Sequence, residues 1–386
     1  MGIGSRLSVG VAALEAQKAE RLRALLDEEL EGRALPPAKV SRGRGGVPSF
    51  VDGSLLCQGS IVSGSHVERS IVGPGTFIDH DAHVTDSIIF PGVRIGPGDR
   101  CFSWLPFYHD MGLVGLVLVP VASQVSVDYL DTREFAMRPR QWLNLMTQTK
   151  ATISFGPPFG YELCTRRLRP GEATKYDLSN WRVAGVGAEM IRSETLTRFA
   201  QALKPAGFNE NAFLACYGMA ECSLAISFAP LFQGHSTDCV DGDYHSDFQE
   251  ALPIHLSENP GRARCFVDCG TPLPEYEVEI RGDDGSVLPD RLSGSIFVRG
   301  PSVMSGYFNA PDETAAALSE DGWLNTGDVG YRVDGSLIVT GRKKDLIIIN
   351  GRNIWPQDLE YLAEHQPEVR IGDALAFSVP NPNGDE

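Results

Sequence analysis

Val67-Glu-Arg-Ser-Ile-Val-Gly-Pro-Gly75 and Val84-Thr-Asp-Ser-Ile-Ile-Phe-Pro-Gly92 are one motif written twice, seventeen positions apart. Around them aliphatic residues fall at Leu55, Ile61, Val67, Val72, Ile78, Val84, Ile89 and Ile95, in steps of five or six, any three consecutive steps covering seventeen residues. A three-step period with one aliphatic per step predicts a parallel β-helix, with three short strands per coil and one side chain from each turned to the axis. An irregular Gly-rich loop would not hold such a register over forty residues. The series supplies about two and a half coils, slightly under the ~3 units a continuous repeat core needs. It stops at Arg100, and the loss of register at Arg100/Cys101 reads as a joint between pieces of two unrelated enzymes, a fused or truncated reading frame.

Upstream, residues 12–31 contain helix formers and neither Gly nor Pro, with Leu14, Leu22, Leu25, Leu26 and Leu30 on one stripe. Gly32 and Pro36-Pro37 end that expected helix, whose mixed-charge polar face suits packing better than a membrane surface. A basic, Gly-rich linker follows at 41–46. The opening MGIGSRLSVG lacks the charged-then-apolar pattern of a secretion signal. The longest apolar run, 112–127, includes Pro120 and Gln124 and is shorter than the ~20 residues of a membrane span.

The 386 residues suggest two or three domains, and 42% hydrophobic with 22% charged residues excludes a wholly disordered chain. Fifty acidic against thirty-four basic residues leave a net charge of −16, which argues against a nucleic-acid partner. The eight cysteines form no CxxC pair, and even Cys265 and Cys269 have no metal-ligand spacing, so reduced core thiols are expected. The expectation is a cytoplasmic chain without a membrane span.

From Cys101 the texture becomes mixed α/β, with helices expected over 140–148 and 193–203 and a strand over 184–186. Five clusters have the makeup for nucleotide chemistry. Trp104-Leu-Pro-Phe-Tyr-His-Asp-Met-Gly112 sets His109 beside aromatics, although a lone histidine is more often structural. Gly185-Val-Gly-Ala-Glu-Met190 follows the expected strand, where bare backbone can lie against a flat base, though Gly turns also arise for steric reasons alone. In Ala215-Cys-Tyr-Gly-Met-Ala-Glu-Cys222, the Tyr217 ring, Gly218 and the Glu221 carboxylate suit base stacking and a Mg²⁺ bridge to phosphate. Asn325-Thr-Gly-Asp-Val-Gly330 presents Asp328 at a tight turn, as ribose recognition requires. Residues 341–360 offer a basic turn, a buried-strand pattern at 346–349, a glycine turn and a helix start after Pro356.

Those clusters carry two resemblances. "WLPFYHDMGLVG", "YGMAE", "GSIFVRGPSVMSGYFN", "WLNTGDVGY" and "VTGRKKDLIIINGRNIWPQDLE", in this order, make residues 101–386 resemble the adenylate-forming superfamily, most of all the fatty acyl-AMP ligases. "LPPAKV" and "CQGSIVSGSHVERSIVGPG" make residues 35–100 resemble the C-terminal left-handed β-helix of glucose-1-phosphate adenylyltransferase, without its catalytic domain. The implied fold class is therefore α/β. An N-terminal helix and linker (1–46) and a short left-handed β-helix (47–100) would precede a partial adenylate-forming large domain (101–341) and the start of its small C-terminal domain (342–386).

The ligase resemblance implies ATP-dependent activation of a long-chain fatty acid: its carboxylate attacks the α-phosphate, giving acyl-AMP and pyrophosphate. The acyl group then passes to an acyl carrier protein or polyketide synthase in lipid biosynthesis. It places His109 at the acyl and phosphate end, with Gly187, Ala188, Tyr217 and Gly218 around adenine. Glu221 would hold Mg²⁺, Asp328 the ribose hydroxyls and Arg342 the ribose or phosphate, while Lys344 falls at the interdomain hinge. Ala220 replaces a threonine common in acyl-CoA ligases, which favours the acyl-AMP type. Residues 154–161 are a candidate acyl-tunnel wall or a plain core loop, and an insertion typical of acyl-AMP ligases could lie within 227–267.

Two elements of the family pattern do not occur in the sequence. No Ser/Thr/Gly-rich run ending in Pro-Lys-Gly precedes Trp104, and no residue stands at the position of the family's late catalytic lysine. The polypeptide by itself is therefore expected to bind nucleotide poorly and to adenylate little or nothing. The alternative is a glucose-1-phosphate adenylyltransferase fragment that contributes only an assembly module; a non-catalytic lipid or carrier-protein scaffold is a third possibility.

Overall fold

The computed structural model describes short segments between residues 39 and 95 (39–41, 48–52, 55–56, 61–63, 65–68, 71–72, 77–78, 83–85, 88–89 and 94–95). It then describes residues 99–379 except 124, 258, 260, 350–351, 355, 365, 367 and 370–373. The expected helix at 12–31 and most of the basic linker lie outside the described residues. The chain divides into two compact units, Met1–Pro97 and Gly98–Glu386.

Among the described residues of the first unit, ten strands of two or three residues stack into parallel sheets of four, three and three strands, the three faces of a β-helix. The register corrects the expected series of inward positions. Val67 pairs with Val84, seventeen residues on, but Leu56 pairs with Val72 and Val62 with Ile78, sixteen residues on. The sequence series used Leu55 and Ile61 at these places. Both sit in aliphatic doublets, Leu55-Leu56 and Ile61-Val62, where hydrophobicity cannot choose between neighbours whose side chains point to opposite faces. The structure resolves one doublet: Val62 is fully buried, as is Val67, whereas Ile61 is half-buried. Lys39–Ser41, expected in the linker, adds a strand that pairs with Ile61–Ser63.

The second unit is built on a seven-stranded sheet. Its strands are β1 (Arg100–Ser103), β2 (Ser126–Tyr129), β3 (Ile153–Gly156), β4 (Val183–Val186), β5 (Phe213–Gly218), β6 (Ala225–Phe228) and β7 (Thr271–Pro272), in the order β2-β1-β3-β4-β5-β6-β7. The first five are parallel, and β6 and β7 run antiparallel. Helices Arg140–Thr149, Pro158–Arg167 and Ser193–Leu203 connect successive strands, and their apolar faces bury Trp142, Tyr161 and Phe199 completely. With Trp104, Trp181 and Phe213 these rings form an aromatic core; Tyr161 and Phe199 meet edge to face with centroids 5.0 Å apart. The core hydroxyl is satisfied: the Tyr161 phenol donates to the Gly185 carbonyl at 2.8 Å.

A second, antiparallel sheet comprises β8 (Glu277–Arg281), β9 (Gly294–Arg299), β10 (Leu324–Val333) and β11 (Ser336–Arg342). After β11 come the hairpin Ile347–Ile349/Arg352–Ile354 and the helix Pro356–Glu364, where the sequence pattern places a strand and a helix start. Between β6 and β7 lies the two-stranded hairpin Thr237–Asp241/Ala263–Val267. Its cross-strand partners Cys239 and Cys265 are joined by a disulfide, with Cα atoms 4.0 Å apart. This corrects the expectation of eight reduced thiols. The two cysteines are 26 residues apart, a separation with no local signature, and only strand pairing brings them together. Cys101, Cys164, Cys216, Cys222 and Cys269 are free.

Candidate active site

The order β2-β1-β3-β4-β5 reverses direction between β1 and β3, and in open parallel sheets a crevice forms beyond the carboxyl ends of the strands at such a point. A cleft of about 760 Å³ lies there. The segment after β1 brings Tyr108, His109, Asp110 and Met111; β3 brings Phe155; the turn after β4 brings Ala188; the end of β5 brings Cys216, Tyr217 and Gly218. Glu221 follows on a 3₁₀ turn, and the second sheet adds Thr326 and Gly327 from β10 and Arg342, Lys343 and Lys344 at the end of β11.

Small residues at two places let the wall exist. A Cβ on Gly185 would stand 2.0 Å from the Phe155 ring, so the bare backbone of β4 is the platform on which that ring lies. A Cβ on Gly187 would stand 2.7 Å from the Cys216 carbonyl oxygen and 2.8 Å from its sulfur. Ala188 takes a left-handed conformation (φ 69°) at the cleft wall.

Seven of the nine expected site residues, His109, Ala188, Tyr217, Gly218, Glu221, Arg342 and Lys344, line this one cleft. Gly187 and Asp328 stand behind the wall. Gly187 backs Cys216, and Asp328 is 6% exposed beneath Tyr217 and Arg342. The Tyr217 phenol donates to Asp328 Oδ2 at 2.6 Å, and Arg342 Nε donates to Asp328 Oδ1 at 3.1 Å. Asp328 is held from its own backbone as well, since its N–H donates to Thr326 Oγ1 at 3.1 Å. Burial raises the Asp328 carboxyl above the usual aspartate range, against the opposing pull of the Tyr217 hydrogen bond and the Arg342 charge. Burial, and the carboxylate next to it, raise the Tyr217 phenol well above its ordinary value.

His109 is turned by its neighbour: its Nδ1 lies 2.6 Å from Asp110 Oδ1, which also accepts the Met111 N–H at 2.7 Å. Glu221 is fixed at two points by the loop after β9. Its main-chain carbonyl accepts the Met304 N–H at 2.7 Å, and its Oε1 accepts the Tyr307 hydroxyl at 2.9 Å. Among the described residues no three His, Cys, Asp or Glu side chains gather as a metal cage. A single carboxylate still suits Mg²⁺, which keeps several waters and takes one or two carboxylates plus substrate phosphates.

Sequence reasoning missed Cys216, Lys343 and the Tyr307 contact. Cys216 and Lys343 lie inside the quoted motifs. Tyr307 is 86 residues from Glu221, and no local pattern joins them. Phe155, from the segment read as either tunnel wall or core loop, lines the cleft, whereas Ser154 and Tyr161 from that segment are buried.

Residues 75–308 match the model of the AMP-binding enzyme family, and residues 36–101 match a GlmU-like C-terminal hexapeptide model. The chain is 48% identical over 315 residues to a protein of Caulobacter vibrioides provisionally named an acyl-CoA synthetase, covering 81% of this chain and 55% of that one. It is 35% identical over 288 residues to a medium-chain-fatty-acid–[acyl-carrier-protein] ligase of Moorena producens, covering 72% and 48%. A structure solved in work on fatty acyl-adenylate ligases from E. coli and L. pneumophila superposes with a TM-score of 0.70 at 51% identity, over 73% of this chain and 51% of that one. The chain thus spans about half the length of the relatives it matches. No helix among the described residues is long and apolar enough to cross a membrane. The motifs in their order, the cleft they line and the family match agree, and the chain belongs to the AMP-binding enzyme family, with fatty acyl-AMP ligases among its relatives of known structure.

Proposed function

We propose that the cleft holds the adenylate of a fatty acyl-AMP, and that the chain takes part in ATP-dependent activation of a long-chain fatty acid in the cytoplasm for an acyl carrier protein or polyketide synthase. The observation that carries this reading is the Tyr217–Asp328–Arg342 triad. A buried carboxylate tied to an aromatic hydroxyl and a guanidinium at the cleft wall suits a ribose diol beneath a stacked base. In this reading Gly187, Ala188, Tyr217 and Gly218 surround adenine, Asp328 accepts from the ribose, and Arg342 and Lys344 face the phosphate, Lys344 also serving as a hinge. His109 stands at the acyl end, and the apolar wall of Phe155, Leu224 and Phe228 excludes water from the chain.

Glu221 would hold Mg²⁺, which when bound neutralises phosphate charge. Transfer of phosphoryl charge onto fixed cations and amides dominates such activation, and losing one such donor typically slows the step about 10²–10³-fold. Because the 386 residues contain no Pro-Lys-Gly phosphate loop, the polypeptide by itself is expected to bind acyl-adenylate far better than it forms it.

A thermal-shift comparison tests the reading with an acyl-sulfamoyl adenosine, ADP-glucose and acyl carrier protein, alongside fatty-acid-dependent ATP–pyrophosphate exchange. Stabilisation by the acyl-adenosine analogue with little exchange is the expected result. Exchange at the rate of full-length ligases would refute the impairment, and stabilisation by ADP-glucose alone would refute the adenylate site.

A further inference from the structure

The loop between β9 and the helix Pro311–Ala317 reaches the cleft residue Glu221 through the Tyr307 side chain. Its placement is built. Gly306 takes φ 148°, where a Cβ would stand 2.8 Å from Thr314, and the Tyr307 N–H donates to Thr314 Oγ1 at 2.9 Å. Thr314 Oγ1 in turn donates to the Ala310 carbonyl at 2.7 Å, tying the loop to the first turn of that helix. From this anchored backbone the phenol donates to Glu221 Oε1 at 2.9 Å, while the Met304 N–H holds the Glu221 carbonyl at 2.7 Å.

We propose that Tyr307 is a positioning residue that sets the Mg²⁺ affinity of the cleft by fixing the Glu221 carboxylate. The inference rests on the proposed adenylate reading and deepens it. A free glutamate samples several rotamers, and binding a cation selects one of them; a hydrogen bond to Oε1 makes that selection beforehand and leaves Oε2 to face the metal. The donor is a hydroxyl and carries no charge, so it orients the carboxylate without competing as a cation would. The second fixing point, through Met304, acts on main chain and survives a change at Tyr307.

The test uses the 386-residue protein and two probes in calorimetry. An acyl-sulfamoyl adenosine has no phosphate and needs no cation; ATP is titrated over a range of Mg²⁺ concentrations. With Tyr307→Phe, the Mg²⁺ concentration for half-maximal ATP binding is expected to rise about tenfold, the order of effect seen for partners of metal ligands. The analogue affinity should stay within about twofold, and Glu221→Gln/Tyr307→Phe should be no worse than Glu221→Gln alone. An unchanged Mg²⁺ midpoint, an equal loss of analogue affinity, or additive effects in the double variant would overturn the proposal. A wild-type protein that binds the analogue but binds ATP without any Mg²⁺ dependence overturns the Tyr307 inference and leaves the adenylate reading standing. A wild-type protein that binds neither probe removes both.

Discussion

The two units solve the burial of parallel strands in opposite ways. In the β-helix each strand is two or three residues long and pairs in parallel with a strand of a neighbouring coil, so each face is a stack of short rungs. In the α/β unit the five parallel strands run four to six residues, and helices cross between them, so the chain returns to the same edge and leaves loops at one end. Only the second arrangement creates a place where His109, Tyr217 and Arg342, over two hundred residues apart at the extremes, face one space. Repetition makes a surface, and crossover makes a site.

That contrast can be broken most forcefully at the β-helix axis. Val62→Asp buries an unpaired carboxylate where the side chain is fully enclosed, and should destabilise that unit by at least about 3 kcal/mol. Differential scanning calorimetry should show its transition lost while acyl-adenosine binding persists; loss of binding as well would mean the units are not independent.

The next test lies within the α/β unit. His245 is buried against Ser293, with Nε2 2.7 Å from the hydroxyl and Nδ1 without a partner among the described residues, and burial together with the Arg264 charge pushes its pKa down to about 4. Unfolding at acid pH therefore takes up a proton that the folded imidazole refuses. Stability is intact above pH ~6.5 and falls by about 3 kcal/mol as the pH drops to 4. Urea denaturation across that range should show the slope, and His245→Gln should flatten it; an unchanged slope would locate the acid sensitivity elsewhere.

A smaller effect is expected at the cleft. Asp328→Asn keeps shape but removes the buried charge, and should weaken the acyl-adenosine analogue by about tenfold. Because burial raises this carboxyl, wild-type affinity should decline on acidification at a higher pH than an ordinary aspartate would give, and the variant should lose that dependence. Affinity independent of pH in the wild type would count against a ribose role. The least effect belongs to Glu277→Gln, which breaks an exposed pair with Arg299 and should change stability by no more than about 0.5 kcal/mol.

How much of this was legible in sequence depended on the distance over which each feature is written. The β-helix was readable because one aliphatic recurs per strand; its register was misread at Ile61 because adjacent aliphatics give the same hydrophobic signal on opposite faces. The cleft residues were readable because each sits in a compact motif at a strand end. The Cys239–Cys265 link and the Tyr307–Glu221 bond were not, since each joins segments that carry no mark of each other until sheets and loops are folded. Asp328 was correctly singled out as a carboxylate at a turn, but its burial beneath Tyr217 depends on two sheets meeting, which spacing does not encode.

The uneven coils of the first unit carry one more consequence. Lys39–Ser41 finds its partner at Ile61–Ser63, twenty-two positions away, while later rungs are separated by sixteen or seventeen. The paired strands nonetheless stay in register, so the surplus of five or six residues lengthens the circuit without removing a rung from the stack. Spacing of this kind tolerates grafted sequence such as a loop, an epitope or a reporter peptide.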